Sequence, residues 1–188
     1  MRPAKLTAFH ADVNASRIEV PSATMTADVS RHSSPFLAVV LAAGQGTRMR
    51  SAMPKVLHEI AGRSMLAHVM ATARDAGAAR TVVVTSPQQD DVRQHVAAED
   101  HDATTVIQHE QRGTAHAVLA AASEIEAADL PVLVVYGDTP LVQSQTLRAA
   151  VDALAEDASV VVVGFDAADP TGYGRLLLSS DDTGRNAD

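Results

Sequence analysis

The sequence predicts an α/β fold, a mostly parallel sheet with helices on both faces. Two observations carry that expectation. Five short runs of apolar, largely β-branched residues recur along the 188-residue chain, and segments with apolar residues at helical spacing separate them. The runs are nearly continuous rather than alternating, as in strands covered on both faces.

Residues 1–35 stand outside this pattern. They mix Ser, Thr, Pro and scattered charges without strand or helix periodicity up to residue 34, and are expected to be a disordered extension. From Phe36 the pattern changes. Leu37–Leu41 reads as a buried strand that runs into the turn Gly44-Gln45-Gly46. Ser64–Ala76 reads as a helix, with Met65, Leu66, Val69, Met70 and Ala73 on one face and Gly77 placed as a C-cap glycine. Thr81–Thr85 is a second strand, Gln88–Ala98 a helix, Thr104–Ile107 a third strand and Thr114–Ala127 an Ala-rich helix. Val132–Tyr136 is a fourth strand, Ser144–Ala155 a helix and Ser159–Gly164 a fifth strand. Arg175–Leu178 reads as one more strand before a polar tail. In such sheets ligands bind outside the carboxyl ends of the strands, which says where chemistry should lie.

Composition narrows the function classes. A net charge of −8 argues against a general nucleic-acid binder, and 3% aromatic residues with no Trp leave little for base stacking. The absence of Cys excludes disulfides, thiolate metal sites and cysteine nucleophiles, and fits a cytoplasmic protein. No apolar run reaches the ~18 residues of a membrane span, and the first residues do not read as a signal peptide.

The turn after the first strand is Leu41-Ala42-Ala43-Gly44-Gln45-Gly46-Thr47-Arg48-Met49. Its glycines let backbone N–H groups approach phosphate oxygens, and Arg48 adds a forked cationic donor. For a lone Gly-x-Gly, an ordinary βα turn that uses glycine for its dihedrals is the better explanation. Two other phosphate loops do not fit: no Lys follows the last Gly as a P-loop requires, and Met49 stands where the dinucleotide fingerprint needs Gly or Ala. Pro54-Lys55 supplies a compact point charge on a stiffened approach. Tyr136-Gly137-Asp138-Thr139-Pro140 closes the fourth strand, where Asp138 could hold Mg²⁺ together with substrate phosphates, or make an Asx turn. Gln108-His109-Glu110-Gln111-Arg112-Gly113-Thr114-Ala115-His116 ends the third strand and opens a helix. The Gln108 amide both donates and accepts, as reading a pyrimidine edge requires, although a Thr-capped helix start accounts for the same residues. The histidines lack zinc spacing.

The order of these blocks resembles one family. Leu41–Met49, then Pro54-Lys55-Val56-Leu57-His58, then Gln108–Ala117, then Tyr136–Leu141, then Asp169-Pro170-Thr171-Gly172-Tyr173-Gly174-Arg175 are similar to the N-acetylglucosamine-1-phosphate uridyltransferase domain of the bacterial bifunctional enzyme that makes UDP-N-acetylglucosamine. The resemblance spans roughly Phe36 to Leu178. It implies a Rossmann-like sheet of the nucleotide-diphospho-sugar transferase type, incomplete at its carboxyl end. It further implies that Leu41, Ala42, Ala43 and Gly44, with Gln108, Gly113 and Thr114, seat the nucleotide, and that Arg48 and Lys55 act on the UTP phosphates. Asp138 would bind Mg²⁺, Tyr136 and Gly137 would line the same site, and Gly174 would contact the sugar phosphate. The implied reaction joins UTP and N-acetylglucosamine-1-phosphate for cell-wall precursor synthesis.

Two departures stand out. Arg112 replaces the Leu usual before Gly113-Thr114. The family's downstream Ile-Val-Glu and Asn blocks, and its trimer-forming β-helix acetyltransferase domain, find no counterpart before Asp188. The chain is therefore expected to be a fragment, weakly active or inactive alone, with a sheet edge and apolar surface left uncovered. The rivals are a methylerythritol-phosphate cytidylyltransferase, which shares the glycine turn but lacks Gly113–His116, and a non-catalytic nucleotide-binding remnant.

Overall fold

The computed structural model describes residues 5–10, 15–19, 34–44, 51, 53–155, 158–169 and 171–174. They divide into two compact units, one of residues 35–147 and one combining residues 1–34 with 148–188.

The first unit is built on a four-stranded parallel sheet. Its strands are β3 (Phe36–Leu41), β6 (Ala78–Thr85), β7 (Thr104–Ile107) and β8 (Val132–Tyr136), hydrogen-bonded in the order β7-β6-β3-β8. Phe36 to Val40 are fully buried at every position, as are Val82, Val83 and Val84. Because successive side chains alternate between faces, both faces of the central strands are covered. On one face Leu37, Val39, Val82 and Val84 pack with Ala117 and Ala121. Helix α1 (Met65–Asp75) packs on β3 and β6, α2 (Asp90–Glu99) on β6, and α3 (Thr114–Leu119) on β3. Burying the Leu66 side chain completely contributes about 1.5–3 kcal/mol. Ser64 caps α1 by accepting the Ala67 N–H at 3.0 Å, and Gly77, at φ 95°, follows the helix end in the left-handed region that favours glycine.

Ahead of α1, a two-residue hairpin joins β4 (Glu59–Ile60) and β5 (Arg63–Ser64), with Ala61 at φ 53° and Gly62 at φ 78°. Both turn residues are left-handed, as the twist of a tight hairpin demands.

The second unit holds a three-stranded sheet of order β2-β1-β9, from β1 (Lys5–His10), β2 (Ala15–Glu19) and β9 (Ala158–Gly164), all antiparallel. The boundary between the units falls inside helix α5 (Ser144–Ala155), between Leu147 and Arg148.

Three expectations are corrected. Residues 5–10 and 15–19 form paired strands where a disordered extension was expected; β1 pairs with the nearby β2 and also with β9, from His10↔Ala158 to Lys5↔Gly164, and no local pattern shows that second pairing. The fifth apolar run pairs with β1 rather than joining the parallel sheet. The Ala-rich helix breaks into α3 and α4 (Ala122–Ala128), because the Ala121 N–H bonds three residues back, to Val118, and tightens the turn. Strand β8 has no neighbour on its outer side among the described residues, and Val134 on it is 39% exposed. The expected strand at 175–178 lies outside the described residues. No helix among the described residues is long and apolar enough to cross a membrane.

Candidate functional site

In the parallel sheet the chain steps outward from β3 to β6 to β7, then returns to place β8 on the other side of β3. At such a reversal the connections after neighbouring strands leave in opposite directions and open a crevice at their carboxyl ends. A cleft of about 540 Å³ lies there. Its walls come from the segment after β3 (Leu41, Ala42, Ala43, Gly44), the turn after β8 (Tyr136, Asp138), the segment after β7 (Gln108, Gln111, Gly113, Thr114) and the single-turn helix Lys55–Leu57. Ten residues expected at the site thus meet at one rim: Leu41, Ala42, Ala43, Gly44, Lys55, Gln108, Gly113, Thr114, Tyr136 and Asp138.

Lys55 and Asp138, 83 positions apart, form an ion pair with Nζ 2.6 Å from Oδ2. Both side chains are more than a third exposed, so the pair is worth no more than about 1 kcal/mol. A ligand can separate it at little cost. Pro54, with φ −52° and ψ 137°, leads into the turn, and the Val56 side chain is buried behind Lys55.

Gly137 belongs to the scaffold beneath. Its N–H donates to the Leu41 carbonyl at 2.9 Å, and an added Cβ would lie 3.2 Å from that oxygen and 3.4 Å from both Leu66 and Val56. The absent side chain lets the turn carrying Asp138 lie against the end of β3.

The segment after β3 is held by two amides. Gln89, 6% exposed, accepts the Ser86 N–H at 2.8 Å through Oε1 and donates to the Ala42 carbonyl at 3.1 Å through Nε2. Gln111 donates to the Ala43 carbonyl at 2.8 Å. With both carbonyls engaged, and the Ala42 N–H given to Val84 at 2.9 Å, the N–H groups of Ala43 and Gly44 make no hydrogen bond among the described residues. They are donors available to an anionic or polar ligand. Gln108 is buried at the cleft floor, its N–H on the Thr85 carbonyl at 2.8 Å. Gly113, at φ 99°, turns the chain into α3.

Arg48 lies outside the described residues. Gly174 belongs to the other compact unit, where it is exposed. In the same block the Thr171 hydroxyl and N–H bond the Asp169 carboxylate, which holds its pKa below the ordinary value.

Gln89 and Gln111 escaped sequence reasoning because each acts on a main-chain carbonyl 47 or 68 positions away. For Gln111 a signal existed, since it shares a block with Gln108.

Among the described residues lining the cleft, Asp138 is the one carboxylate, and no cluster of three or more His, Cys, Asp or Glu occurs among the described residues. That donor set suits Mg²⁺, which takes one or two carboxylates and completes its shell with phosphates and water. It does not suit a closed zinc site.

Comparison with known proteins identifies the family. Residues 38–181 match the MobA-like NTP transferase domain. The chain is similar to the bifunctional protein GlmU of Azorhizobium caulinodans, 56% identical over 150 residues, which are 78% of this chain and 33% of that protein. It is similar to the bifunctional protein GlmU of Xanthobacter autotrophicus, 53% identical over 78% of this chain and 33% of that protein. The chain therefore spans about a third of the length of these curated relatives. The crystal structure of Rv0371c from Mycobacterium tuberculosis H37Rv is 27% identical, with a TM-score of 0.51 over 64% of this chain and 60% of that one.

Proposed function

Since this chain belongs to the MobA-like NTP transferase domain family, we propose that its cleft binds UTP and serves transfer of the uridylyl group to N-acetylglucosamine-1-phosphate, giving UDP-N-acetylglucosamine and pyrophosphate. The observation that carries this reading is the meeting of Lys55, Asp138, Gln108 and the N–H groups of Ala43 and Gly44, unbonded among the described residues, in one cleft. The acceptor is proposed on the similarity to the GlmU proteins.

In this reading a phosphate oxygen of the sugar phosphate attacks the α-phosphorus of UTP. A phosphorus–oxygen bond forms there as the bond to the β-phosphate breaks, and the electron pair leaves with pyrophosphate. Such a transfer needs alignment and charge neutralisation more than a side-chain nucleophile. Lys55 leaves Asp138 to hold the triphosphate, while Arg48 adds a second cation. The Ala43 and Gly44 amides and Gln108 orient the nucleoside, with Gly113 and Thr114 beside it. Asp138 would hold Mg²⁺, which when bound neutralises phosphate charge and polarises the bond that breaks. Gly174 is proposed to contact the sugar phosphate.

Equilibrium binding of UTP with Mg²⁺ to the 188-residue chain, followed by pyrophosphate release on adding N-acetylglucosamine-1-phosphate, tests the reading. Binding is expected, with sugar-phosphate-dependent release that is at most slow in this chain alone. Faster release with CTP and methylerythritol phosphate would overturn the substrate assignment. Absence of any nucleotide binding would overturn the site.

A further inference from the structure

On α3 the Nδ1 atom of His116 lies 3.2 Å from Nε2 of Gln108, and the same Nε2 lies 3.3 Å from the carbonyl oxygen of Gly113. A carbonyl oxygen only accepts hydrogen bonds, so the amide atom facing Gly113 must be the nitrogen. That nitrogen carries two hydrogens. One goes to Gly113 and the other to Nδ1, which must then be the bare nitrogen of a neutral ring. Turning the amide over would set Oε1 against the Gly113 carbonyl and require the His116 ring to carry its proton on Nδ1 instead. Gln108 is 3% exposed, so little water reaches it to ease the reversed arrangement. Its Oε1 makes no hydrogen bond among the described residues and is not a sealed, unsatisfied atom. Since Gln108 borders the cleft, that oxygen is an acceptor left for a ligand.

We propose that His116 is a positioning residue for nucleobase choice: as the second acceptor beside the Gly113 carbonyl, it holds the Gln108 amide so that the cleft selects a pyrimidine whose N3 carries a hydrogen over one whose N3 is a lone pair. Uridine nucleotides have the first pattern and cytidine nucleotides the second. A fixed Oε1 accepts from the uracil N3–H and repels the cytosine N3. An unlocked amide can turn its N–H groups outward and accommodate cytosine. The inference deepens the proposed uridylyl transfer and rests on its claim that the cleft binds a nucleoside triphosphate.

The test measures equilibrium binding of UTP and of CTP, each with Mg²⁺, to the full chain and to two variants. The unsubstituted chain is expected to prefer UTP by about tenfold or more, the worth of one well-placed hydrogen bond against an unpaired buried group. His116→Phe fills the same space without an acceptor, leaves the amide to the Gly113 carbonyl alone and should lower the UTP:CTP ratio severalfold. His116→Asn puts an accepting oxygen near the place of Nδ1 and should restore most of the preference. A purely structural role would weaken both nucleotides alike, and that result would overturn the proposal, as would a ratio unchanged in His116→Phe. Nitrogen NMR of the ring provides a check that needs no variant. A neutral His116 with the proton on Nε2 is expected, and a proton on Nδ1 would overturn the proposal. If the unsubstituted chain binds both nucleotides without preference, the cleft reading stands and this inference alone falls. If it binds neither, both fall.

Discussion

At the scale of single residues, the cleft depends on charges that are paired but weakly held. Lys55 and Asp138 neutralise each other across 2.6 Å, and their exposure makes the pair easy to exchange for a triphosphate and a cation. Asp138→Asn should leave the melting temperature nearly unchanged while lowering Mg²⁺-dependent UTP turnover ~100-fold or more, the usual effect of removing one electrostatic partner of a transferring group. Near-normal rates in that variant would remove Asp138 from the site. Asp169 provides a test of pH dependence. Bonds from the Thr171 hydroxyl and N–H favour its ionised form, so its folded pKa lies below the unfolded one. The turn therefore gains support above the unfolded pKa and loses it as pH falls through the lowered value. Carboxyl NMR should show that lowering, and Thr171→Val should reverse part of it by removing the hydroxyl. Lys55, Asp138 and Gln108 were legible in the sequence because their chemical types sit in short blocks at strand ends. Gln89 was not, since it acts on a carbonyl 47 positions away that only the folded chain brings near, and Gln111 and His116 stood in the Gln108 block without their partners being legible.

At the scale of elements, the turns decide how closely the strand ends converge. Gly137→Ala would place a Cβ 3.2 Å from the Leu41 carbonyl, a backbone atom that cannot swing aside. Thermal unfolding should show a loss of about 1–3 kcal/mol, the range for overpacking a close contact. In the β4–β5 hairpin, Ala61 occupies a left-handed position that Asn tolerates better. Ala61→Asn should raise stability by about 0.5–1 kcal/mol, measured by denaturant unfolding; no gain would mean that Ala61 is not strained there. The four strands of the parallel sheet were legible because burial on both faces writes a continuous apolar run. The fate of Ala158–Gly164 was not, because a run such as Ser-Val-Val-Val-Val-Gly records burial and β propensity but not the direction or identity of its partner. The break between α3 and α4 was hidden for a similar reason: alanines favour helix on either side of it and mark no end.

At the scale of the whole molecule, the location of the cleft follows from strand order. The return of the chain across β3 opens the sheet at the carboxyl ends of β3 and β8, where Ala42–Gly44 and the Asp138 turn issue and the Gln108 segment lines the same cleft. That the strands would be parallel and the chemistry would sit at their carboxyl ends followed from the alternation of apolar runs and helices. The division of the chain into two units did not, since it depends on pairing between its two extremes. Backbone amide NMR of the 188-residue chain during a UTP titration with Mg²⁺ tests the central claim most directly. The largest shifts are expected at Ala43, Gly44, Gln108, Gly113, Thr114 and Asp138. Shifts confined to other segments, such as the β4–β5 hairpin or α2, would contradict it.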